Sequence, residues 1–215
     1  MVLINPNTST ATTAMMTAVA RRTLGRALAV RGVTVSRGPR MLTDPAALRA
    51  AAPEVLAVGL RAAARGDSAA LLVGAFGDPG VEELREATGM PVVGLGEAAL
   101  TEAAAGGTPF GIATTTPLLA DSITAHVTAL GLTDRYTGLR ITPGAPEHLS
   151  ARPELLVDTL EQAVRACVER DGARAVVIGG GPLGEAAEEL RSRCAVRIVA
   201  PIPAACRAIV RRLSG

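Results

Sequence analysis

Three short stretches carry residue types and spacings suited to chemistry. Gly74-Ala75-Phe76-Gly77-Asp78-Pro79-Gly80 lies between an apolar run, Ala69 to Val73, and Val81 to Ala87, which reads as a helix with an acidic first turn. Gly77 and Gly80 permit backbone angles closed to other residues, and Asp78-Pro79 favours a helix start. Such a turn leaves several backbone N–H groups directed beyond the strand end, where a small anion or oxyanion can sit. Asn5-Pro6-Asn7-Thr8 and Thr114-Thr115-Thr116 each follow a short apolar strand. They offer amide, hydroxyl and backbone donors, the groups that hold a carboxylate or ureide. Thr is also a frequent helix N-cap, so binding and capping both stand as readings.

The composition removes other chemistries. All 22 basic residues are arginine. Without lysine there is no Schiff-base catalysis, hence no pyridoxal phosphate or class I aldolase mechanism, and no Walker-type Gly-Lys pair. The two histidines, His126 and His148, have no metal-ligand spacing, so no metal site is expected and both read as solvated. Cys167, Cys194 and Cys206 show no CxxC spacing and read as small core residues. The net charge of +2 and the single Tyr and two Phe give neither an electrostatic footprint nor a stacking platform for nucleic acid. The N-terminus turns polar by residue five, and no apolar run approaches the ~18 residues of a membrane span. A cytoplasmic protein is expected.

The elements that must position these turns alternate between strand and helix. Predicted strands fall at Val2 to Ile4, Thr34-Val35, Ala69 to Val73, Pro91 to Leu95, Phe110 to Ala113, Leu139 to Thr142, Ala175 to Ile178 and Val196 to Ala200. Helices are predicted from Thr8, Ser9 or Thr10 to about Val30, at Pro45 to Arg49 and at Pro53 to Arg65. Others fall at Glu97 to Ala105, from Pro117 to Leu130, at Pro153 to Arg170, at Glu185 to Arg191 and from about Pro203 to Leu213. Alternation of this kind predicts mainly parallel sheets with helices on both faces, and ligands beyond the carboxyl ends of the strands.

The chain also repeats itself. Arg65-Gly66-Asp67 before the strand ending at Gly74 has a partner in Arg170-Asp171-Gly172 before the strand ending at Gly179, with Gly66 and Gly172 separated by 106 residues. Val2 to Thr8 matches Phe110 to Thr116 in type, with Ile4 and Ile112 separated by 108. The expected architecture is therefore α/β, in two pseudo-symmetric halves, each a mainly parallel sheet flanked by helices, with a cleft between them. The first half is assigned residues 1–98 plus 200–215 and the second 99–199.

Ile4-Asn5-Pro6-Asn7-Thr8-Ser9, Phe76-Gly77-Asp78-Pro79-Gly80, Pro91-Val92-Val93-Gly94 with Glu97-Ala98, Phe110 to Thr115 and Val176 to Gly179 together resemble the aspartate/glutamate/hydantoin racemase superfamily, most closely its hydantoin racemase branch. The resemblance implies a cofactor-free enzyme that moves a proton at an acidic carbon, with two thiols facing opposite sides of that carbon. It places the thiols at the positions held here by Ala75 and Gly180, so both proton carriers of the pattern are missing. Asp78 and Glu97 are the remaining acid/base candidates, each with a plain alternative as a helix-terminal acid. The resemblance, with the donor chemistry above, assigns binding to Asn7, Thr8, Ala75, Phe76, Thr114, Thr115, Gly180 and Gly181.

Three functions compete on this reading. One is an isomerase or lyase of the superfamily with altered acid/base groups, acting on a small carboxylate or cyclic ureide. The second is a non-catalytic binding homologue, and the third an unrelated doubly wound binding domain. The expected partners are a small anionic or ureide ligand and further copies of the chain as a homo-oligomer, with no nucleic acid and no membrane.

Overall fold

The computed structural model describes residues 1–214; Gly215, the last residue assigned to the first half, lies outside them. In chain order the elements are β1 Val2–Asn5, α1 Thr10–Leu24, β2 Arg31–Thr34, α2 Pro45–Ala64, β3 Leu71–Val73, α3 Val81–Thr88, β4 Val92–Gly94 and α4 Leu95–Ala103. There follow β5 Phe110–Thr114, α5 Ala120–Ala129, β6 Tyr136–Ile141, α6 Pro146–Ser150, α7 Pro153–Glu169, β7 Ala175–Ile178, α8 Gly184–Arg193, β8 Arg197–Val199 and α9 Pro201–Ser214.

Two four-stranded parallel sheets result, ordered β2-β1-β3-β4 and β6-β5-β7-β8. The two orders are the same, so the halves share a topology. In each, the chain winds one way from the first strand and then returns to its other side. That reversal puts a crevice between β1 and β3, and another between β5 and β7. The turns after those four strands carry Asn7, Ala75, Thr115 and Gly180.

Strand side chains alternate between two helical layers. Leu3, Leu72 and Val93 pack with α1, α4 and α9, while Val2, Ile4, Leu71, Val73 and Val92 pack with α2 and α3. In the second sheet Ala113, Val176, Ile178 and Ile198 meet α7 and α8, and Phe110, Ile112, Ala175, Val177 and Val199 meet α4 and α5. Helix α4 serves both halves: Leu95 and Ala98 join the first core, and Ala99, Leu100 and Ala103 the second. Leu100 is fully buried in this seam, and burying such a side chain contributes about 1.5–3 kcal/mol.

The register shifts the second pairing of the repeat by one residue. Gly74 N–H donates to Ile4 O and Gly179 N–H to Ala113 O, each at 2.8 Å. Val35 N–H likewise donates to Asn5 O, as Thr142 N–H does to Thr114 O. Ile4 is thus equivalent to Ala113 rather than Ile112, and Asn7 to Thr116 rather than Thr115. Side-chain type alone pairs Ile with Ile; the hydrogen-bond ladder does not.

Other boundaries move for local reasons. Helix α1 stops at Leu24 instead of Val30, because Gly25 takes φ 54 and Arg21 holds the following segment by donating from Nε and Nη2 to Val30 O. Ser9 is the cap, accepting from Thr12 N–H at 3.2 Å. The predicted pair Pro45 to Arg49 and Pro53 to Arg65 is one helix, α2, with Pro53 inside it. Pro53 is exposed, so its missing N–H falls on the solvent side while Ala51, Val55 and Val58 keep the buried face continuous. Helix α6 is absent from the predicted elements; Leu149 anchors it at 1 % exposure.

Replacing Pro53 by Ala should restore one i→i−4 hydrogen bond and relieve the ring's clash with the preceding turn, a gain of about 1–3 kcal/mol. Thermal unfolding should show a raised midpoint; a lowered one would mean that the proline is needed in place.

Candidate functional site

The cleft forms where the turn after β3 meets the turn after β7. A Cβ on Gly181 would stand 2.6 Å from Gly74 O, so only glycine lets the two backbones come this close. Above this contact lies a cavity of about 50 Å³, room for a few waters. Its polar side is Asn7, Thr115, Thr116 and the Gly74–Ala75 and Gly179–Gly180–Gly181 backbones; its apolar side is Met41, Leu42, Leu48, Phe76, Leu119, Ile123, Pro182 and Leu183. Ser150 stands with them. Among the described residues no ionisable side chain lines this cleft.

Asn7 is aimed by a small network. Its Oδ1 accepts from Asn5 Nδ2 at 2.8 Å and from Ser9 N–H at 2.9 Å. A backbone N–H can only donate, so the bonded atom is the oxygen and the Nδ2 amide is the end left for the cleft. Asn5 is itself fully buried and also donates to Ser9 O and Thr13 Oγ1. At the equivalent position Thr114 plays the bracing part: it is fully buried, and its hydroxyl donates to Gly179 O at 2.6 Å, tying the β5 turn to the β7 turn. Thr115, 5 % exposed, faces the cavity with a hydroxyl that makes no protein hydrogen bond among the described residues.

Six of the eight residues assigned to binding therefore share one cavity: Asn7, Ala75, Phe76, Thr115, Gly180 and Gly181. Thr114 and Thr8 do not line it. Thr8 fastens the β2–α2 loop instead, its N–H donating to Pro39 O and its hydroxyl to Gly38 O.

Asp78 and Glu97 both lie off the cleft. Asp78 caps a helix, but α4 rather than its own α3, which has Gly80 at its N-terminus and no side-chain cap. The carboxylate accepts from Gly96 N–H at 2.8 Å and Glu97 N–H at 2.6 Å. Glu97 pairs with Arg85 and Arg212 and accepts from Gly94 N–H.

His148 is exposed, as expected, but His126 is not freely solvated: it lies half-buried against Asp78, with Nε2 3.3 Å from Oδ2. The atoms are at ion-pair distance without hydrogen-bond alignment, and Nε2 has no other partner among the described residues. Burial lowers the imidazole's proton affinity, but Asp78, with Glu97 behind it, outweighs burial and raises it above the ordinary value. The pair's contribution to stability is therefore full below about pH 6.5 and fades as pH rises through the raised value. Leu119, Ile123 and His126 are spaced four and three residues apart, so helical periodicity alone would have placed His126 on the cleft-side face of α5.

The cysteines stand apart. Cys167 and Cys206 are buried, and burial pushes each thiol up to about 12; burial also raises the half-buried Cys194. None of the three lines the cleft, and all are held as thiols at neutral pH.

The fold and cleft place the chain in a known class. It belongs to the Asp/Glu/Hydantoin racemase family, whose model matches residues 1–209. It is 27 % identical over 205 residues to the hydantoin racemase of Paenarthrobacter aurescens, covering 95 % of this chain and 87 % of that protein. Allantoin racemase from Klebsiella pneumoniae superposes with a TM-score of 0.93 at 25 % identity, over 99 % of this chain and 86 % of that one. Arylmalonate decarboxylase shares the fold at a TM-score of 0.68 and 20 % identity, covering 100 % and 92 % of the two chains. Family members are racemases or isomerases, so the coarse class is isomerase. Among the described residues no helix is long and apolar enough to cross a membrane.

In the native protein, thiol titration at neutral pH should label Cys194 at most. All three should react once the chain is unfolded; fast native labelling of Cys167 or Cys206 would contradict the burial described.

Proposed function

We propose that the cleft binds a small cyclic ureide or carboxylate and does not racemise it by a two-thiol route. The observation that carries this reading is the lining: amide, hydroxyl and backbone donors face an apolar wall, with no titratable side chain between them. Carbonyl or carboxylate oxygens would take protons from the Asn7 amide, Thr115 and the turn N–H groups. The ligand's carbon substituent would rest on Phe76, Leu119 and Ile123. The relatives' activities on hydantoins and allantoin support the ureide class. Proton abstraction at carbon needs a base within hydrogen-bond reach. Ala75 and Gly180, the residues at the positions assigned to thiols, supply none.

A second reading, a lyase, is favoured by the same lining. Decarboxylation of a malonate-type acid starts by breaking the C–C bond to the leaving carboxylate. The electron pair passes to the remaining carboxylate, whose oxyanion the turn donors would stabilise, and water would return the proton. No protein base is consumed in that step.

Binding is tested with racemic allantoin and 5-substituted hydantoins by calorimetry. Thr115→Val keeps the shape but removes a donor, and affinity should fall about tenfold, the worth of ~1.5 kcal/mol for a hydrogen bond to a charged or strongly polar group. An unchanged affinity would remove that contact.

The chemistry is tested in heavy water by NMR of the Cα–H, corrected for spontaneous exchange. The native protein should give no exchange above background. Ala75→Cys with Gly180→Cys should introduce it, since Gly180 has extended backbone, φ 164, and only Leu183 at 3.1 Å must shift. Fast exchange by the native protein overturns the proposal, and carbon dioxide release from phenylmalonate would select the lyase reading.

A further inference from the structure

Asp78 is built into the turn that carries the cleft wall. It is the non-glycine residue with positive φ, 51°, among the described residues. Both its oxygens are used at the N-terminus of α4, by Gly96 and Glu97 N–H. A Cβ on Gly94 would overlap the carboxylate, and one on Gly96 would stand 3.0 Å from Oδ2. The space around the carboxylate is thus kept by two glycines, and the strained backbone of Asp78 is held by what its side chain binds.

The remaining neighbour comes from the other half of the molecule. His126 of α5 presents Nε2 to Asp78 Oδ2, and both side chains are largely removed from water, at 23 % and 6 % exposure. His126 also borders a small void of about 10 Å³ with Leu48, Phe76, Gly77, Ser122 and Ile123. Leu48, Phe76 and Ile123 line the cleft as well, so Phe76 separates the imidazole from the ligand space.

We propose that Asp78 is a positioning residue for the cleft wall, and that its contact with His126 couples protonation of His126 to the conformation of Ala75-Phe76-Gly77. With the imidazolium formed, α5 is drawn onto the turn, and Phe76 is fixed between helix and cleft. With the imidazole neutral the attraction goes, and the turn keeps the α4 N–H groups and its own backbone hydrogen bonds. The charged groups facing His126 are Asp78 from the β3–α3 turn and Glu97 from α4, the latter engaged by Arg85 and Arg212. Both carboxylates favour the imidazolium, so the clasp is closed at lower pH and opens as pH rises through the raised value.

The consequence for ligands rests on the binding reading above; the coupling itself does not. It is tested by NMR titration of the ligand-free chain between about pH 5 and pH 9, the range in which His changes charge. His126 should titrate above the ordinary imidazole value in the native protein and fall back in Asp78→Asn. The amide signals of Ala75, Phe76 and Gly77 should move with the His126 midpoint and stay flat in His126→Gln, which keeps the proposal testable should Asp78→Asn not fold. Amides that ignore the His126 midpoint, or titrate equally in His126→Gln, overturn it.

With racemic allantoin as probe, affinity should fall about fivefold across the same midpoint in the native chain and not in His126→Gln. Binding that is indifferent to pH would overturn the link to the cleft. Absence of allantoin binding at every pH, with the amide coupling intact, would count against the ureide reading and in favour of the clasp.

Discussion

The separation of the two halves is set by a contact that tolerates no side chain, Gly181 over the carbonyl oxygen of Gly74. The cleft depends on it. Two strand-to-helix turns can share one small cavity only if their backbones approach within van der Waals distance, and any Cβ at 181 would wedge them apart. Beneath the contact, Gly74 and Gly179 N–H are tied to β1 and β5, so neither turn can retreat. Thr114 then closes the second half by bonding Gly179 O. Donor positions in the cleft are therefore properties of the sheets, not of mobile loops, as an anion or oxyanion site requires.

Charge is arranged around this centre rather than in it. Arginine–carboxylate pairs occupy the periphery: Arg207 with Glu102, Arg140 with Asp171, and Arg193 with Asp158 and Glu161. Within the seam, the Asp78 carboxylate accepts from two helix N–H groups, the favourable end of a helix for an acid. Among the described residues no titratable side chain lines the cleft, an arrangement that favours ligands bringing their own polarity.

Much of this was legible in the linear sequence. Alternating buried strands and helices, the repeated glycine turns and the hydroxyl-rich stretches together predicted two parallel-sheet halves, because parallel strands buried on both faces read as unbroken apolar runs. Asn7 and Thr115 were proposed from the donor chemistry of turns that follow such runs, and Ala75 and Gly180 from the family resemblance; the structure places all four around one cavity. The strand pairing of the repeat was misjudged by one residue, because like side chains need not occupy like rungs. Pro53 suggested a break that the continuous buried face of α2 overrode.

What the sequence by itself determined is the set of elements and the turns that end them, since periodicity and glycine placement act over a few residues. It also determined that no lysine takes part in the chemistry, since the chain has none. What the tertiary structure decided is every relation between distant residues. Asp78 caps α4 instead of α3, His126 packs half-buried against it, and Thr8 faces a loop while Thr115 faces the cavity. These outcomes depend on how two sheets dock through α4, and docking is a sum of many weak contacts between residues far apart in the chain. No local spacing encodes that sum, which is why the donors were readable and their companions across the seam were not.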